Sequence, residues 1–150
     1  MSDKIIAPKG LAGVITDDTS ISKVMPESNS LTYRGYRVQD LCETCSFEEV
    51  AYLMVHDDLP NESELKAFTQ KERNYRGLSN DLKAVIGKFP KDAHPMDTLR
   101  TGVSFLGMED KRIWDDSPET NMDKFIGLLA NIPTIIAASY RHGKGKDYIA

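Results

Sequence analysis

The sequence predicts an all-α fold with a small N-terminal β ribbon, and three observations carry that prediction. Between residues 10 and 36 short apolar pairs alternate with the turn-rich pieces TDDTS and PESNS, giving strands too short for a core sheet. Beyond Tyr36 the hydrophobic period changes from about two to about 3.6 residues and stays there. No βαβ alternation occurs, which excludes a doubly wound nucleotide-binding sheet. At 150 residues, with 40% hydrophobic and 28% charged content, the chain is long enough for a packed domain and carries no signature of disorder. It divides into an arm and β ribbon over 1–36 and a helical body over 37–150.

The ribbon strands centre on Leu11, Val14 and Ile15, then Ile21 and Val24, then Leu31 and Tyr33. In SFEEVAYLM, Ser46 and Glu49 stand at capping-box spacing, and Phe47, Val50, Leu53 and Met54 mark one buried face. Asp57-Asp58-Leu59-Pro60 ends this helix. Asn61 and Glu64 offer a second box-like start, followed by Leu65, Phe68 and Tyr75 at helical spacing up to Gly77. Ser79 caps a helix that uses Leu82, Val85, Ile86 and Phe89 and closes at Pro90. His94-Pro95 opens another, with Met96, Leu99, Val103 and Leu106 as its stripe before Gly107. Ser117-Pro118 repeats the cap-then-proline signal ahead of FIGLLANIPTIIAASY, Phe125 to Tyr140, which reads as a buried helix pair or one kinked helix. Broken by Asn131 and Pro133, that run falls short of the roughly 20 apolar residues of a bilayer span. GKGKDYIA then trails away without a closing element, the mark of a fragment.

A net charge of -4 argues against a nucleic-acid footprint, which requires a basic face or stripe. The N-terminus MSDKIIAPKGLAGV lacks the basic and apolar regions of a secretory signal and reads as cytoplasmic. Cys42-Glu43-Thr44-Cys45 has the spacing of thiol redox sites and half of a zinc site. The chain has no other cysteine, however, and His56, His94 and His142 do not stand at ligand spacing, so no metal site is expected and both thiols read as reduced. His56, at the end of a helix, complements its dipole, and His94 serves helix entry. The basic, glycine-containing Arg141 to Lys146 segment, RHGKGK, lacks the order and the preceding strand of a phosphate loop and reads as a solvated loop. No G-x-S-x-G, H-E-x-x-H or G-x-G-x-x-G occurs. The residues by themselves therefore give no self-sufficient active site.

Four stretches taken together are more specific than any one motif. KGLAGVITDDTSISKV at 9 to 24, LTYRGYRVQDL at 31 to 41, SFEEVAYLMVHDDLP at 46 to 60 and HPMDTLRTGVSFLG at 94 to 107 resemble the N-terminal part of the citrate synthase family, nearest its 2-methylcitrate synthase branch. The likeness runs in order from about Lys9 to the last residue. It implies an almost entirely helical enzyme of a large and a small domain, with residues 37–150 as the N-terminal part of the large domain. In that family the Tyr33-Arg34-Gly35-Tyr36 piece ends the β ribbon: the glycine lets the backbone turn and the tyrosines cover apolar surface.

The resemblance further implies a homodimer that condenses propionyl-CoA or acetyl-CoA with oxaloacetate and hydrolyses the thioester, the CoA thioester being a substrate and no cofactor being required. The dimer interface is expected on the stripes Met96 to Leu106 and Met122 to Tyr140. An aspartate removes the α-proton, one histidine stabilises the enolate and another polarises the keto carbonyl. Those groups belong to segments such as a His-Gly-Gly-Ala-Asn motif that these residues do not contain, so no catalytic residue is assigned and the segment alone is expected to be inactive. Lys71 in FTQKERNYRG matches a position where some relatives place a basic substrate contact. Asp58 stands where relatives commonly have glycine before Leu-Pro, so the turn there is expected to differ. A rival reading is a non-catalytic helical interaction module derived from that fold. A third is a thiol or metal regulator built on Cys42 and Cys45.

Overall fold

In a computed structural model, residue 10 and residues 12–149 are described. They fall into two compact units that divide at Leu65/Lys66. Leu11 and the first nine residues of the expected arm lie outside the described residues.

The first unit begins with an antiparallel three-stranded sheet, β1 (Ser22–Met25), β2 (Ser30–Tyr33) and β3 (Tyr36–Arg37), in the order β1-β2-β3. The strand expected around Val14 and Ile15 is absent: both side chains are exposed in irregular chain, and the third strand is instead Tyr36–Arg37. β1 and β2 pair with Ser22 opposite Tyr33 and Met25 opposite Ser30, joined through a 3₁₀ turn at Pro26–Ser28. β2 and β3 are joined by the two-residue turn Arg34-Gly35, whose φ values of 48° and 89° are both positive. The type I′ form of a two-residue hairpin needs that backbone at both central positions, and glycine adopts it at the second without strain.

Helix α1 (Val38–Thr44) packs against β2 and β3 and buries Leu41. α2 (Phe47–His56) starts with the expected capping box. The Glu49 amide donates to Ser46 Oγ at 3.3 Å, while the Ser46 amide donates to Glu49 Oε2 at 2.7 Å. Its buried positions are Ala51 and Leu53, with Val50 and Met54 half-buried. Phe47 departs from the expected face: at the first helical position it is 68% exposed, before the turn has carried the stripe inward. α3 (Glu62–Asn74) opens on a second reciprocal box, with the Asn61 amide on Glu64 Oε2 at 2.8 Å and the Glu64 amide on Asn61 Oδ1 at 3.0 Å.

The second unit is built on α4 (Asn80–Ile86), α5 (Pro95–Glu109) and α6 (Pro118–Gly143). Ser79 Oγ caps α4 through the Leu82 amide at 2.9 Å. His94 caps α5, its Nδ1 accepting from the Met96 amide at 3.2 Å ahead of Pro95. α4 ends at Ile86, before Phe89, and α5 runs through Gly107 to Glu109, two small departures from the expected bounds. The core joins Leu78, Leu82, Ile86, Ile135 and Ala138, with Phe89, Leu99, Val103 and Phe105 packed around it. Leu82, Ile86 and Ile135 are fully enclosed, each contributing about 1.5–3 kcal/mol of burial.

α6 is one continuous helix of 26 residues with Pro133 inside it, not a pair. Proline cannot donate to the carbonyl four residues back. Around that gap, Asn131 Nδ2 donates to the Gly127 carbonyl at 3.0 Å and Thr134 Oγ1 to the Ala130 carbonyl at 3.1 Å. At Gly102 α5 packs tightly against α6: a Cβ there would stand 2.7 Å from Ile135 Cγ2. The final residues do not trail away as expected. They turn at Gly145, the Arg141 guanidinium donates to the Asp147 carbonyl, and the Tyr148 hydroxyl donates to the Lys83 carbonyl at 2.9 Å. No helix among the described residues is long and apolar enough to cross a membrane.

Candidate functional site

A cleft of about 450 Å³ opens beside α5, α6 and the loop between them, with Tyr75 closing one side. Val103, Leu106, Ile113 and Leu128 give it apolar walls. The Tyr75 ring stands over Gly127 of α6, where an added Cβ would lie 3.7 Å from it, at ordinary van der Waals contact.

Asp123, one turn into α6, is the charged hub. Its Oδ1 accepts from Lys71 Nζ at 2.7 Å and its Oδ2 from Arg112 Nη1 at 3.1 Å. Both hydrogen bonds hold the Asp123 carboxyl below the ordinary carboxylate range, Lys71 more strongly than Arg112, and the bond to Asp123 pushes the Arg112 guanidinium up. Arg112 Nε also lies 3.8 Å from Asp110. Lys124 Nζ donates to the carbonyls of Ile113 and Asp115, at 3.0 and 2.6 Å, and so ties the loop to α6. Asp115 in turn accepts from the Ser117 amide and the Thr120 hydroxyl, at 2.9 and 2.8 Å, which lower its pKa and fix the start of α6. A carboxylate depressed by two cations, with each oxygen engaged, is a poor proton acceptor.

Lys71 is thus brought to the edge of a charged cluster, with its side chain 46% exposed. The other sequence candidates stand apart from it. His56 stacks on Tyr52 with ring centroids 4.0 Å apart at the end of α2. His94 is occupied as a helix cap. His142 places a ring nitrogen 2.9 Å from the Phe89 carbonyl, and Lys144 lies 5.8 Å above the Tyr140 ring, so the RHGKGK segment closes the end of α6. Cys42 is exposed, Cys45 is half-buried, and both are free thiols. Among the described residues no group of three or more His, Cys, Asp or Glu side chains is placed to hold a metal ion.

In the first unit the chemistry of Tyr33-Arg34-Gly35-Tyr36 lies in a residue that sequence reasoning passed over. Arg34 reaches from the hairpin turn to the end of α2, donating from Nη2 to the Met54 carbonyl at 3.0 Å and pairing through Nη1 with Asp57 at 2.7 Å. Nη1 also reaches Ser20 Oγ at 2.6 Å. Tyr36 donates to Asp58 Oδ1 at 2.7 Å, which lowers the aspartate and raises the phenol. Asp57 takes the left-handed position that ends α2, at φ 70°, and Asp58 serves the tyrosine.

Known proteins resemble this chain in sequence and in fold over nearly its whole length. The 2-methylcitrate synthase 2 of Corynebacterium glutamicum is 49% identical over 142 residues, 95% of this chain and 37% of that protein. A citrate synthase of Mycolicibacterium smegmatis is 50% identical over 137 residues, 91% of this chain and 36% of that one. Among solved structures, the citrate synthase of Pyrobaculum aerophilum superposes with a TM-score of 0.84 at 30% identity, covering 91% of this chain and 36% of its own. The chain thus spans little more than a third of the length of these relatives. The family model described as the citrate synthase C-terminal domain matches residues 10–150, and the chain belongs to the citrate synthase family.

Proposed function

We propose that these residues are part of a 2-methylcitrate or citrate synthase, which condenses propionyl-CoA or acetyl-CoA with oxaloacetate and then hydrolyses the thioester. The observation that carries this reading is 49% identity to a 2-methylcitrate synthase along 95% of the chain. Residues 37–150 supply the N-terminal part of the large domain, a placement that rests on the order of the four resembling stretches. The matching family model is described as a C-terminal domain, and sequencing the reading frame on both sides decides between the placements.

The role of the segment in the reaction is that of a scaffold. Removing an α-proton from a thioester requires donors preorganised where charge develops, in a site closed to water. Among the described residues the candidate for substrate contact is Lys71, whose ammonium pairs with the Asp123 carboxylate and would neutralise a carboxylate of oxaloacetate by the same charge complementarity. The enzyme works in the cytoplasm, as a homodimer, with no cofactor beyond its thioester substrate. α5 and α6 supply the interface, because Leu128, Ile132, Ile136 and Tyr140 form a ridge at four-residue spacing on α6, and Leu128, Ile136 and Tyr140 are exposed.

Following CoA release with each thioester plus oxaloacetate tests this. The 150-residue chain is expected to release none above background, and the full reading frame is expected to turn over, with propionyl-CoA and acetyl-CoA compared side by side. Turnover by the 150 residues alone would overturn the scaffold role, and a silent full-length protein would overturn the activity.

A further inference from the structure

Cys42 and Cys45 have no part in the scaffold role, and the end of α1 gives their spacing a chemical meaning. Cys42 lies in the last turn of α1 and is exposed, while Cys45 is the residue that ends the helix and is half-buried. The Cys45 amide still donates to the Leu41 carbonyl at 2.9 Å, so its Cα stays on the helical path. Three residues apart on one turn, the two side chains leave the same face, with Cβ atoms about 5–6 Å apart. Cys45 Sγ lies 3.6 Å from Thr44 Oγ1, a weak contact that a stronger partner replaces.

That separation decides what can join the two sulfurs. A disulfide closes at a Cβ separation of about 3.5–4.5 Å, so a direct S–S bond would require the last turn to unwind. An ion bonded to both sulfurs, each at roughly the 2.3 Å of a Zn–S bond, holds them up to about 4.6 Å apart and takes up the difference. Zinc itself asks for four ligands, and among the described residues no group of three or more His, Cys, Asp or Glu side chains is placed to supply them. A soft ion that takes two thiolates has no such need, and thiolate donors select Cu(I). The two charged residues of α1, Asp40 and Glu43, are both acidic, which draws a cation to this helix.

We propose that Cys42 and Cys45 together capture one soft, two-coordinate cation of the Cu(I) kind. Binding forms two S–Cu bonds with no change of oxidation state, and the two thiol protons leave to solvent. The capture site is independent of the acyl-CoA reading, since it concerns an ion held at the end of α1 and not turnover.

The test uses the protein of the full reading frame, under argon, with Cu(I) titrated in competition with bicinchoninate. The parent is expected to hold one equivalent more than the Cys42→Ser/Cys45→Ser double variant. Each single variant is expected to hold that equivalent at least about a hundredfold more weakly, the loss of one arm of a two-armed site. Zn(II) at equal concentration is expected not to displace it. The unaltered protein decides the matter even if the serine variants do not fold. Trypsin, cutting after Arg37 and Lys66, releases both thiols in one peptide that carries no other cysteine, and bound Cu(I) is expected to protect the two together from iodoacetamide. Equal uptake by parent and double variant, a smaller loss in either single variant, displacement by Zn(II), or alkylation of either thiol at saturating Cu(I) would each overturn the proposal.

Discussion

Arg34 does with one side chain what a hairpin tip this short cannot do with backbone alone. Its guanidinium fork covers the end of α2, where carbonyls lack intrahelical partners and the dipole favours a cation. With the side chain 15% exposed, replacement by alanine leaves the Met54 carbonyl and Asp57 without their donor, and Arg34→Ala is expected to destabilise by about 1–3 kcal/mol in denaturant unfolding. A lysine carries the charge without the fork and is expected to recover less than half of that loss. Asp123 gives a prediction of a different kind. Its pKa is lowered in the folded chain, first by Lys71 and then by Arg112, so its contribution to stability is fully present above the unfolded value of 3.8 and is lost as pH falls through the lower folded value. Melting Asp123→Asn beside the parent chain from pH 7 to pH 2 should show the variant less stable at pH 7, with the gap closing in acid. A gap that stays constant would mean that the carboxylate's charge is irrelevant there. Glu49, Asp58 and Asp115 are depressed as well, which is why the difference between the two profiles, and not the parent profile alone, isolates Asp123.

Helix boundaries were readable because they are written in local chemistry. Ser46 with Glu49, Asn61 with Glu64, Ser79, and Ser117 before Pro118 all cap within three residues of themselves, and each cap forms where the spacing placed it. What failed locally was decided from a distance. Val14 and Ile15 read as a strand by composition, yet among the described residues no partner strand pairs with them. Pro133 alone could not say whether α6 continues, since the answer depends on a buried face, Ile126 and Ala130 before it and Ile135 and Ala138 after it, extending to both sides. The candidate site was least legible of all: Lys71 and Asp123 are 52 residues apart, and neither carries a motif. The same holds for Gly102, which reads as an ordinary weak point in a helix and proves to be the contact where α5 meets Ile135. Gly102→Ala improves helix propensity by up to about 1 kcal/mol, but its methyl would fall 2.7 Å from a β-branched side chain that is fully buried. Overpacking of this kind costs about 1–3 kcal/mol and should win, lowering the unfolding midpoint. Adding Ile135→Leu removes the offending Cγ2, so the double variant should be more stable than the sum of the two single changes. Strict additivity would show that the crossing is looser than the geometry says.

At the scale of the whole molecule, the second unit has more apolar surface than its own core uses. On α6, Ile126, Ala130, Ile135 and Ala138 are buried, while Leu128, Ile136 and Tyr140 remain exposed along a separate ridge, with Met96 exposed at the start of α5. An apolar ridge on a helix that already has a core face is a surface suited to a partner. If that partner is a second copy across a two-fold axis, each residue on the ridge is buried twice in the dimer, and one charge placed there is repeated in both copies. Ile136, at 49% exposed, is the position to change, since its removal costs the single chain little. Ile136→Asp is expected to weaken self-association at least about tenfold in sedimentation velocity, as each copy buries a carboxylate without a partner. The monomer's unfolding free energy should move by no more than about 0.5 kcal/mol, as for an ordinary surface substitution. The two readouts separate the possibilities: a monomer that unfolds early would mean that the ridge belongs to the fold, and an undiminished dimer would place the two-fold contact elsewhere.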